Sequence, residues 1–345
     1  MEEKGKKLGL WNIIGLGLGG AIGTGIFVLL GYGIAYTGRS ISLVVAIGCF
    51  FMLLAYWYNL AMPAMFVMKG GDYSMKAMLF NPFMSGVSAW MILVNGLAMS
   101  SYSVALAQYL AIAIPSLQNH QTLVAFIAMT LFFLSTIKGS RFITILENII
   151  TLVLVASLVI FVVFGLPKVD FANTFSSADG GFFHGGFTGF VSALAVMGWA
   201  CQGTTMAPVS MAAVTKNPKR TIPLGIIIIT LLLAVIYGTM GIVAGGVLPY
   251  VETAGQNISV TAEAILPRAL YIFFVVGGGV VAFNLFKDLT FNDAVFTVVI
   301  VAVMCVLTIV RLKQGAVKAE DLAAKKEEIV RQAIADTTAD EAEAA

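Results

Sequence analysis

Two short runs of this chain hold the groups that binding chemistry inside a membrane would need. The first is Ile22, Gly23, Thr24 and Gly25, within the glycine-rich apolar stretch from Gly15 to Leu30. The second is Trp199, Ala200, Cys201 and Gln202, flanked by Gly198 and Gly203 and followed by Pro208. Neither run is charged, so what it offers a ligand is mainly backbone. A helix that begins near Gly25 presents free amides and the positive end of its dipole, roughly half a unit charge, which suit a carboxylate. A helix that ends near Ile22 presents free carbonyls, which suit an ammonium group or a sodium ion. An unpaired backbone group in hydrocarbon is costly, so a helix stops at membrane depth only where protein or a wet cavity receives its ends.

Packing competes as an account of each run taken alone. Gly15, Gly19 and Gly23 recur every four residues, and small residues on one face let helices approach closely. Gly25 does not share that face, because two residues along a helix turn the side chain by about 200°; the triplet Gly23, Thr24, Gly25 therefore reads as local unwinding. In the second run Pro208 cannot donate to the Thr204 carbonyl, and a proline kink beside a packed Trp199 is the plain alternative. The pairing of two interrupted segments is what points to a transporter's substrate site. A third candidate is the face shared by Asn95, Met99 and Tyr102. Tyr102 is placed to close over a substrate, and interhelical hydrogen bonding explains the same polar stripe. Asn59 and Pro63 read as structural.

The elements that must position these residues follow from composition. With 59% hydrophobic and 11% charged residues among 345, the chain is far more apolar than a soluble domain, in which about a quarter of residues are charged. The expectation is an all-α, polytopic membrane protein. Apolar runs of about 20 residues occupy roughly 11–36, 41–68, 83–114, 120–137, 143–166, 186–214, 222–248, 268–286 and 292–311, nine spans in all. The first run is too long for a signal-peptide core and has no evident cleavage site. Lys4, Lys6, Lys7, Lys69, Lys76, Lys138, Arg141, Lys216, Lys219 and Arg220 fall at alternate ends of the first seven spans, against Arg39, Lys168 and Arg268 on the other side. The positive-inside rule then gives a multi-pass protein of the cytoplasmic membrane with a cytoplasmic N-terminus. Spans 1 and 6 run in opposite directions, the parity of an inverted repeat.

Several chemistries are excluded. No Asp, Glu, Lys, Arg or His lies well inside a span, and Glu147 sits near the start of span 5; a proton relay, voltage sensor or embedded hydrolase needs such groups. His120 and His184 fall in predicted outer loops or at a span edge. Cys49, Cys201 and Cys305 have neither disulfide nor metal-site spacing, and no cofactor is expected. A net charge of +2, scattered between spans, gives no reason to expect nucleic acid.

The far end carries a parity fault. Nine spans would place the tail outside, yet it opens with Arg311, Lys313 and Lys318. The alanine-rich, acidic residues 319–345, with apolar Leu322, Ile329, Val330 and Ile334, read as a short solvated helix, with a partner-binding coil as the alternative.

The stretch GAIGTGIF in span 1, the long interrupted span 6 and the run VTKNPKRTIPLGI from Val214 to Ile226 together resemble the amino acid-polyamine-organocation superfamily of permeases, over Lys7 to about Ala282. The resemblance implies a leucine-transporter-like fold of two inverted five-helix repeats followed by two helices. Here that gives a membrane domain over 1–311, with a first repeat at about 8–166, an incomplete second repeat at about 186–286, a terminal helix at about 292–311 and a charged cytoplasmic tail over 312–345. It implies transport of amino acids by alternating access, neutral ones being favoured because no in-span carboxylate is present to balance a second positive charge. Gly23, Thr24 and Gly25 would take the substrate carboxylate, and carbonyls near Ile22 and near Trp199 to Gln202 its amine. Other expected partners are membrane lipid, a coupling proton or sodium ion, and a second copy covering surfaces left open. Two features depart from the family pattern: there is no lysine in 148–164, and no acidic residue between Gln202 and Thr215. Such permeases usually have twelve helices, and a missing block of three would account for both the length and the parity fault. The alternative function is a non-transporting, permease-like membrane protein.

Overall fold

Long apolar runs without a sustained period of two dictate helices, and helices are what form. A computed structural model describes residues 7–22, 24–67, 71–80, 115–137, 140–172, 181–201, 203–279 and 319–344, with isolated positions between them. Along the chain the α-helices are α1 (Leu10–Ala21), α2 (Thr24–Thr37), α3 (Ile41–Ala55), α4 (Trp57–Met65), α5 (Gly71–Leu79), α6 (Gln121–Ile137), α7 (Ser140–Gly165), α8 (Gly186–Cys201), α9 (Gly203–Ser210) and α10 (Pro218–Gly246). After the single turn Tyr250–Thr253 come α11 (Ser259–Ile265), α12 (Arg268–Gly279) and α13 (Ala319–Ala344). Among the described residues the only β-pairing is one parallel bridge between Leu8 and Thr215.

The segments Thr151–Lys168 and Pro218–Gly246 are each long and apolar enough to cross a membrane. The apolar segment Leu29–Ala55 meets the same criterion, but it turns at Gly38, whose φ of 66° suits glycine, so α2 and α3 are separate rods. Outward-facing residues are apolar: Phe51 and Leu54 on α3, Phe126 and Leu131 on α6, and Leu231 and Val235 on α10 are all exposed. Such faces belong against lipid.

The core forms where α10 lies along α3, α2 along α8, and α1 along α9, α10 and α7. Phe274 of α12 closes it, with its ring centroid 5.6 Å from Phe27 of α2 and 5.2 Å from Phe161 of α7. The motif that precedes α10 has a local rationale. Asn217 takes the left-handed conformation (φ 46°), which asparagine tolerates better than most residues, and Pro218 supplies the first helical position. The Thr221 hydroxyl donates to the Lys216 carbonyl at 2.7 Å, fixing the corner.

At one end of the molecule, Leu8 donates to the Val214 carbonyl at 2.8 Å and accepts from the Lys216 amide at 2.9 Å. This end carries Lys7, Lys76, Lys216, Lys219 and Arg220, and it also receives α13. The Val67 amide donates to Thr337 Oγ1 at 2.9 Å, and Lys219 Nζ meets Glu341 Oε1 at 2.6 Å. The tail helix is therefore docked, not solvated. Its buried contact is the small Ala333, while Ile329 and Val330 are half-buried and Ile334 is exposed. α13 and the start of α1 therefore share an end of the molecule.

At the other end, the segment after α10 lies across α2. Gly255 donates to the Gly31 carbonyl at 2.8 Å and Ile258 to the Phe27 carbonyl at 3.2 Å. Arg39 Nη1 donates to the Asp170 carbonyl at 2.6 Å, and the His184 and Tyr250 rings lie 4.5 Å apart.

Candidate functional site: two helix breaks at one level

The first break lies where the glycine triplet indicates. α1 stops at Ala21, and Ile22 leaves the helix with ψ 94°, its amide still bonded to the Leu18 carbonyl at 2.7 Å. A new helix begins at Thr24. The end of α1 thus directs carbonyls, and the start of α2 directs amides, towards the same gap. Gly23 lies outside the described residues, and Thr24 and Gly25 form the first turn of α2, one residue earlier than a start at Gly25.

The second break lies after Cys201, not around Gly198. Helix α8 continues through Gly198, Trp199, Ala200 and Cys201, and α9 begins at Gly203. At Gly198 a Cβ would meet only Met52 Sδ at 3.4 Å, an ordinary contact that does not require glycine. Ala200 and Cys201 are buried in the last turn of α8. Gln202, Tyr102, Asn95 and Met99 lie outside the described residues.

The two breaks are side by side. A Cβ built on Gly203 would fall on the Gly20 carbonyl and only 2.7 Å from Ala21 Cα, so the backbone that starts α9 presses on the backbone that ends α1. Above this junction α2 packs on α8, and below it α1 packs on α9. The close approach below comes from Gly17 and Gly20, whose added Cβ atoms would meet Pro208 Cγ at 3.2 Å and Ala207 Cβ at 3.1 Å; the spacing of Gly15, Gly19 and Gly23 points to a different face.

Residues that sequence reasoning passed over complete the site. Tyr237, fully buried in α10, donates its hydroxyl to the Ala21 carbonyl at 3.2 Å. A lone tyrosine in an apolar run gives no signal of a partner 216 residues earlier. Cys49 Sγ of α3 lies 3.3 Å from Cys201 Sγ, and both thiols are buried and free. Asn59, read as structural, donates through Nδ2 to Thr205 Oγ1 at 3.0 Å, tying α4 to α9. Among the described residues, Asn59 Oδ1 and Thr204 Oγ1 are buried without a hydrogen-bond partner, so two oxygens next to the second break are available to a ligand or water.

The described walls are otherwise apolar. Ile22, Ile26, Phe27, Leu30, Met197 and Ala200 are buried there, and among the described residues the one buried charge is Arg39, at the far end of α2. The junction thus brings two helix ends together within an apolar surround. It has no described acid, base or metal-ligand cluster for bond-breaking chemistry.

Comparison with known proteins agrees in kind. Residues 8–310 match the family described as amino acid permease. The chain is similar to the branched-chain amino acid permease BcaP of Bacillus subtilis (strain 168), 28% identical over 278 residues, which covers 73% of this chain and 57% of that protein. It is 26% identical to BcaP of Lactococcus lactis subsp. cremoris over 306 residues, 78% of this chain and 64% of that one. It is also 25% identical to the vacuolar cationic amino acid transporter 8 of Arabidopsis thaliana over 258 residues, 70% of this chain and 43% of that one. The chain spans less than two thirds of the length of each of these three relatives.

Proposed function

The chain belongs to the amino acid permease family, and from that premise we propose that it binds and moves neutral amino acids across the cytoplasmic membrane by alternating access. The observation that carries the reading is the contact of Gly203 with Gly20 and Ala21, which brings two helix breaks of opposite direction to one level. On this reading the amides that open α2, at Thr24 and Gly25 with Gly23 before them, receive the substrate carboxylate. Carbonyls at Ile22 and at the end of α8, from Trp199 to Cys201 with Gln202 following, receive the amine. Tyr102 and Trp199 close over the side chain.

The substrate we favour has an aliphatic side chain. The described walls around the breaks are apolar, and a buried second charge would be expensive without a partner. Two of the relatives are named as branched-chain amino acid permeases, which supports the same class. The architecture we propose is a multi-pass membrane domain with an inverted repeat, the first unit containing the α1–α2 break and the second the α8–α9 break, with the N-terminus cytoplasmic. A permease is a transporter, so no enzymatic step enters the reading.

Counterflow of a panel of labelled amino acids into proteoliposomes tests it, run with and without sodium and pH gradients to identify the coupling ion. Accumulation of leucine, isoleucine or valine above that of lysine and glutamate is the expected outcome. Equal, non-saturable entry of all of them would count against a specific site.

A further inference from the structure

We propose that α13 is a strap across the basic end of the molecule, holding the adjoining ends of α4, α5, α9 and α10 together and restraining their opening. Three anchors support this, and they recur at intervals of four. Ala333 is 5% exposed and joins the cluster of Met62, Met75, Val209 and Ile222. Thr337 Oγ1 accepts from the Val67 amide at 2.9 Å and donates to the Ala333 carbonyl at 2.6 Å. Glu341 meets Lys219 at 2.6 Å. Residues four apart share one face of a helix, so α13 presents a single built docking face.

Its charge pattern makes sense only when docked. Acidic residues at the C-terminal turn oppose the helix dipole, and α13 ends in Asp340, Glu341 and Glu343 with no basic residue in its last turn. Lys219, in the first turn of α10, supplies the missing positive charge. The seat is the part that would have to move. Val209 lies in the short α9 below the second break, and α9 is joined through Thr215 and Leu8 to the start of α1. Separation of these half-helices from α4 and α10 would carry Val209 away from the tail, which Val67 and Lys219 hold on the other side. The family match ends at residue 310, so the permease reading gives α13 no task, and the strap does not depend on which substrate is carried.

Hydrogen exchange of the full chain in nanodiscs, followed by mass spectrometry, is the test. The variants are Ala333→Glu, Glu341→Lys and the charge swap Lys219→Glu with Glu341→Lys. We expect the first two to speed exchange in peptides covering Val67, residues 203–215 and residues 10–21 by roughly tenfold, and the swap to return it to the parent rate. High salt should act like Glu341→Lys, because the Lys219–Glu341 pair is partly exposed and therefore screened. Unchanged exchange at 203–215 while α13 itself exchanges faster would overturn the strap, as would a swap that fails to restore protection. Counterflow in the same preparations reports separately on the permease reading.

Discussion

Tyr237 donates its hydroxyl to the main-chain carbonyl of Ala21 across 3.2 Å. This joins the middle of α10 to the last residue of α1, the residue on which the backbone of Gly203 also rests. One buried side chain thus fixes the position of a helix end that the proposed function needs in register with a second break.

Tyr237→Phe keeps the ring and removes the donor, so the Ala21 carbonyl loses its partner. Leaving a buried acceptor unsatisfied costs about 1–3 kcal/mol. The variant should melt at a lower temperature than the parent in a detergent unfolding assay, and saturating leucine should recover part of the loss if the amine takes the vacated carbonyl. A variant as stable as the parent would mean that the bond holds nothing in place.

Two neighbouring glycines should respond in opposite ways. Gly203→Ala places a methyl group against the backbone of Gly20 and Ala21, and backbone cannot step aside. Gly198→Ala meets only the thioether of Met52 at 3.4 Å, which can. Size-exclusion profiles and ligand binding should therefore be lost or degraded for Gly203→Ala and preserved for Gly198→Ala.

The corner before α10 gives a stability prediction free of the site. Asn217 has φ 46°, where a β-branched residue is strained. Asn217→Val should lower stability by about 1–2 kcal/mol, whereas Asn217→Gly should be close to neutral. Thermal unfolding of the two variants side by side measures this.

The helix breaks were legible in the sequence because glycine and proline punctuate apolar runs for few reasons. The triplet at Gly23 to Gly25 indicated the first break to within a residue. The second run was read less well: Gly198 and Gly203 look alike in sequence, yet one packs on Met52 and the other opens α9. Tyr237 and Cys49 were invisible as site residues, since their partners are set by how α10 and α3 lie against α1 and α8. Span 2 contains a further interruption at Tyr56, where the backbone leaves the helix with ψ 31°, and no glycine or proline there announces it. The docking of α13 was missed because its key contact is an alanine, and apolar periodicity weighs large side chains over the small ones that permit close approach.

The central claim is that two helix breaks form one amino acid site, and equilibrium binding of labelled leucine to the purified full chain tests it most directly, with Gly25→Leu and Gly198→Ala measured alongside. Saturable binding is expected for the parent and for Gly198→Ala, and loss of binding for Gly25→Leu, where the added side chain covers the amides that open α2. Saturable binding that survives unchanged in Gly25→Leu would contradict it.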